Sequence, residues 1–144
     1  MKNRLIKICI IAMVCALIMI MSGTTTGIQS SGIFVRNDTY QSYTLIPMFS
    51  ELRFDADKKV QDMLIRNPAI NTCWICMEFR IPSGKTLFRI DKLYPSHEIK
   101  HIFLKESLPV GVYENCILHI ETYRINDGKR MNCSDYPVDL YILE

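Results

Sequence analysis

The chain opens on Lys2, Arg4 and Lys7 with no acidic residue, then runs unbroken through apolar positions from Ile8 to Met21 and on to Ser22-Gly23-Thr24. A basic start, a short apolar stretch and small residues after it form the pattern of a secretory signal peptide. The run is 14 residues long, short of the ~20 that a spanning helix needs. Extending it back through Leu5 and Ile6 would bury Lys7, whose ammonium can snorkel to the interface. Residues 1–23 therefore read as a signal peptide or an uncleaved membrane-anchor helix. Residues 24–43 are rich in Thr, Ser, Gly and Gln and read as a linker, with a short strand at Ile33-Phe34-Val35.

From residue 44 the period is two. Thr44 to Phe49 is an apolar start interrupted by Pro47, which suits an edge strand. Leu52 and Phe54 continue the alternation, and Val60, Met63 and Ile65 precede the turn signal Asn67-Pro68. The strongest strand is Cys73 to Ile81. There Cys73, Ile75, Met77, Phe79 and Ile81 point one way, and Trp74, Cys76, Glu78 and Arg80 the other. Strands follow over 86–90, 99–104, 113–125 and 138–143, separated by turns at Pro82-Ser83-Gly84, Tyr94-Pro95-Ser96 and Asn126-Asp127-Gly128. About seven short strands at this spacing are the sequence form of an antiparallel all-β sandwich. No stretch after residue 43 carries a long helical period.

Leu108-x-x-Gly111-x-Tyr113 resembles the tyrosine corner of immunoglobulin-like domains, in which a Tyr at the start of a strand bonds back to nearby backbone. The stretch from Asn67 to Tyr113 is also similar to a group of small exported proteins of low-GC Gram-positive bacteria. It shares their Asn-Pro followed by a Cys-aromatic strand (Asn67-Pro68, Cys73-Trp74), a Pro-x-x-x-Ile strand (Pro95, Ile99) and the Leu108, Gly111, Tyr113 corner. The motifs span about 50 residues. They are structural, so the resemblance implies export and an immunoglobulin-like sandwich over 44–144, and implies no activity.

Charge shifts once the start of the chain is set aside. Of 17 basic and 15 acidic residues, three basic ones lie in 1–23, which leaves 14 against 15 and a net charge of −1. A nearly neutral domain lacks the basic footprint of a nucleic-acid binder. Of six cysteines, Cys9 and Cys15 lie in the apolar start, while Cys73, Cys76, Cys116 and Cys133 belong to the domain. In an exported protein these four permit disulfides in any of three connectivities. The other reading is four buried thiols acting as small hydrophobes.

Two motifs carry chemistry only in the right context. His97-Glu98-Ile99-Lys100-His101 matches H-E-x-x-H, which on a helix aims two histidines at one zinc with the Glu as base. A helix over 96–104 would bring His97 and His101 together. A strand would set them ~13 Å apart. Cys73-Trp74-Ile75-Cys76 matches C-x-x-C, whose redox use needs a helix N-terminus to lower the thiol pKa. On a strand the two sulfurs diverge. Asn37-Asp38-Thr39 and Asn132-Cys133-Ser134 fit the glycosylation sequon, and Glu51, Asp55 and Asp57 beside Lys58-Lys59 read as a solvated charged loop.

The sequence therefore points to an extracellular or cell-surface interaction module without catalytic or cofactor residues. Its partner would be a protein or another cell-envelope component, bound through loops or the edge strand at Ile46–Phe49. The membrane is involved only through residues 1–23. The alternative is a zinc-dependent hydrolase using His97, Glu98 and His101.

Overall fold

The computed structural model describes residues 31–37 and 42–144, with only backbone, apart from Gly32, before residue 44. Residues 1–23, read above as a signal peptide or anchor, lie with Cys9 and Cys15 outside the described residues, as do most of 24–43 and part of the Asn37 sequon.

The described residues form nine strands and no helix. β1 (Ser31–Asn37) and β2 (Ser42–Met48) pair antiparallel. β3 (Glu51–Asp55), β4 (Val60–Arg66), β5 (Cys73–Arg80), β6 (Thr86–Leu93), β7 (Glu98–Phe103), β8 (Gly111–Arg124) and β9 (Arg130–Leu143) follow. They build a five-stranded sheet in the order β3-β9-β8-β5-β6 and a two-stranded sheet of β4 and β7. The all-β reading holds, with more strands than about seven. β1 occupies the stretch read as a linker, and it contains Ile33-Phe34-Val35.

The sheet is not purely antiparallel as expected: β3 runs parallel to β9, with Leu52 opposite Leu140 and Phe54 opposite Ile142. A hairpin cannot make a parallel pair. Here the whole chain between β3 and β9 serves as the crossover, so local turn signals give no sign of it.

Alternation sets the faces. Along β5, Cys73, Ile75, Met77 and Phe79 turn inward and are buried, while Trp74, Glu78 and Arg80 lie half-buried on the other face. β8 repeats this with Leu118, Ile120 and Thr122 inside. Ile75, Met77, Phe79, Leu118 and Ile120 join Met63, Ile65 and Ile102 of the small sheet and Ile46 of β2 in one apolar cluster. Phe88 stacks on Phe79 at 5.4 Å and meets Phe54 edge-on at 6.4 Å, so the core ties β3, β5 and β6 through aromatic contacts.

Two buried amides close the connections. Gln61 accepts from the Asp55 N–H (2.9 Å) and donates to the carbonyls of Asp55 (2.8 Å) and Lys58 (2.7 Å), which fixes the turn between β3 and β4. Asn67 donates to the carbonyls of Cys73 (2.9 Å) and Leu93 (2.8 Å), and its own backbone bonds to residues 96 and 97. Buried polar groups are stable only when paired in this way.

Candidate functional site

The H-E-x-x-H residues lie on and just before β7, an extended strand. Four strand residues carry His101 ~13 Å beyond His97, too far for one metal. Each imidazole has its own oxygen: His97 Nδ1 lies 3.0 Å from the Pro95 carbonyl, and His101 Nδ1 lies 2.7 Å from Asp62, its cross-strand neighbour. Glu98 bonds Arg66 (2.7 Å) and Lys100 (3.3 Å), which holds its carboxyl below the usual range. Among the described residues, no group of three or more His, Cys, Asp or Glu could hold a metal ion.

The four described cysteines are free thiols. Cys73 faces the core, with Sγ 3.5 Å from the Thr44 hydroxyl. Cys76 lies on the opposite face beside Arg89 (3.5 Å). Burial raises both thiol pKa values, so neither has the thiolate character of a redox nucleophile. Cys116 donates to the Tyr113 carbonyl (3.2 Å), and burial pushes its pKa up to about 11. Cys133 is exposed on β9. The corner residues sit at the entry to β8: Leu108 packs against the core, Gly111 begins the strand, and the Tyr113 hydroxyl donates to the Pro109 carbonyl at 3.0 Å.

The outer face of the five-stranded sheet is a lattice of paired groups. Trp74 and Tyr123, cross-strand neighbours, stack at 4.0 Å, and the Lys92 ammonium lies 5.5 Å from the Trp74 ring centre. Glu121 accepts from the Tyr123 hydroxyl (2.8 Å) and Arg130 (3.2 Å). Glu78 accepts from the Thr86 hydroxyl and from Arg89 (3.0 Å). Asp135 joins His119 and Arg80. These charges have partners within the chain.

A recess lies at one end of the described structure, where the turns after β4, β6 and β8 meet. Asn71, Thr72, Pro95, Arg124, Ile125, Asn126 and Met131 line an open groove of about 660 Å³. One wall is fixed by the Asn67 amide and by Asn71, which accepts from the Leu45 N–H (2.9 Å) and donates to the Leu45 carbonyl (2.7 Å) and to Asn67 Oδ1 (2.6 Å). The other wall is the β8–β9 turn, where Asp127 accepts from Arg124 (2.9 Å) and from the Lys129 N–H (3.0 Å), and Gly128 adopts a left-handed φ of 66°. Ile70, 78% exposed, stands next to Asn71, and Ile125 is 46% exposed. Apolar side chains with a few fixed polar groups, held on a rigid frame, are what a binding recess requires.

The sequence marked these turns as turns but did not bring them together. Asn71 and Leu45 are 26 residues apart, and only the folded sheets set them side by side. No family model matches the chain, and no curated protein matches it at a significant level.

Proposed function

We propose that this protein is an exported, non-catalytic interaction module with an immunoglobulin-like sandwich fold, which binds a protein or another cell-envelope component at the turn-lined end. The strand order supports the fold reading. β5, β8 and β9 lie in one sheet as strands C, F and G do in immunoglobulin domains, and β4 pairs with β7 as B pairs with E. The Tyr113 bond to Pro109 is the tie a tyrosine corner makes. The basic and apolar start, 1–23, supports export to the surface or the medium, as does the likeness to small exported Gram-positive proteins.

The observation that carries the binding reading is the groove itself. Three connections from different parts of the chain converge there, and exposed Ile125 lines it while exposed Ile70 precedes the lining residue Asn71, where solvation would favour polar residues. Position-specific photo-crosslinking in the producing cell tests it. A photoreactive residue at Ile125 should capture one defined envelope component, and Ile70→Asp should abolish that capture. The same probe at Lys85, in the turn at the far end, should capture none. Equal labelling from both positions, or capture indifferent to Ile70→Asp, would remove the groove as the binding site.

A further inference from the structure

β6 is the last strand on one side of the five-stranded sheet, so among the described residues one row of its N–H and C=O groups has no strand beside it. The opposite edge, β3, is closed at its end by Gln61, which takes both the N–H and the C=O of Asp55. On β6 the Lys105 N–H reaches the Leu87 carbonyl (2.8 Å), and among the described residues no further backbone bond from outside the sheet falls between Phe88 and Lys92.

The residues at this edge have a particular order. Arg89 and Asp91 are exposed, whereas Ile90 between them is buried. Arg89 Nε donates to Asp91 within the strand (2.6 Å). Charges on an edge strand ordinarily discourage pairing with other strands. Here they are complementary to themselves, because reversing the direction of the strand about Ile90 exchanges a cation for an anion.

We propose that β6 pairs antiparallel with β6 of a second copy, with the two-fold axis at Ile90, so that two five-stranded sheets continue into one. With Asp91 keeping the alternation on the open side of the bulge that β6 makes against β5 after Ile90, Arg89 faces Asp91 of the second copy, and Asp91 faces Arg89 of the second copy. Opposite charges directly across an antiparallel pair stabilise it and like charges oppose it. The charges also choose the register. An axis at Arg89 sets arginine against arginine, and an axis at Asp91 sets aspartate against aspartate. The contact is isologous, so it closes at two copies.

The test uses the chain as recovered from outside the producing cell, studied by sedimentation velocity and native mass spectrometry. The wild type should pass from monomer to dimer as its concentration is raised toward millimolar, and molar salt should weaken the dimer. Arg89→Asp and Asp91→Arg should each weaken self-association by at least about tenfold, with circular dichroism matching wild type. An equimolar mixture of the two should form a heterodimer, because both cross-strand pairs are again of opposite sign. Arg89→Asp sets a carboxylate near Glu78 and could disturb folding. Asp91, whose side chain is 80% exposed, provides the second variant, and Asp91→Arg alone must dimerise less than wild type. A wild type that stays monomeric at millimolar concentration, an Asp91→Arg variant that dimerises as well as wild type, or folded variants that associate no better mixed than apart would overturn the proposal.

Discussion

Asn67 bonds four places at once: the carbonyls of Cys73 and Leu93, the amide of Asn71, and, through its backbone, the turn before β7. Asn67→Ala strands two buried carbonyls and one amide, so it should cost about 3 kcal/mol, seen as a lower urea midpoint with an unchanged slope. The Asn-Pro pair shows in the sequence as a turn, but the bonds that hold it do not, since Leu93 lies 26 residues away. Cys116 gives a second prediction at this scale. Burial raises its pKa from 9.0 to about 11. Between those values the unfolded chain ionises while the folded chain keeps its proton, so stability should fall as pH rises from 9 toward 11. Urea midpoints measured across this range should decline, and Cys116→Val should reduce the decline. An equal decline in that variant would assign it to other groups, of which Cys73 and Cys76 are the first.

At the scale of the element, β5 and β8 carry the outer-face lattice, and its carboxylates set the response to acid. The Tyr123 hydroxyl, then Arg130, hold the Glu121 carboxyl below its ordinary 4.5. A depressed folded pKa means that the unfolded chain takes up protons first, so this stability is complete above pH 4.5 and is lost as the pH falls below it. Glu121→Gln should therefore lower stability by about 1 kcal/mol near neutrality and flatten the acid limb of the stability curve. A variant as acid-sensitive as wild type would move the effect to Glu78, whose carboxyl is held down by the Thr86 hydroxyl and then Arg89. The strands themselves were legible because one face of each is buried: the Cys73–Phe79 alternation predicts both the strand and its inward row. β6 runs beyond Ile90 because Leu93 turns back into the core after the exposed Asp91 and Lys92. This bulge breaks the simple period. The H-E-x-x-H spacing is a helical signal, and β7 shows why it misleads here: in the extended strand Ile99 and Ile102 pack against the core, while Glu98 and His101 pair across to Arg66 and Asp62 of β4.

For the whole molecule, one core joins the large sheet, the small sheet and β2, which has a consequence for cooperativity. Trp74 is the only tryptophan, and it lies on the outer face away from that core, stacked on Tyr123. If the outer face were a separate layer, its fluorescence would change before the sheets melt. The stack instead rests on β5 and β8, whose inward residues Ile75, Met77, Leu118 and Ile120 belong to the core, so the surroundings of the rings change most when these two strands separate. Long-range order also leaves little that could unfold alone: β3 is held by β9, nearly the length of the domain away, and β4 by β7. Single-core domains of this size unfold as a unit. In urea, tryptophan fluorescence and far-UV circular dichroism should therefore trace one coincident transition. A fluorescence transition at clearly lower urea would show that β5 and β8 separate on their outer side while the core persists, and the sheets would then have to be treated as independent units.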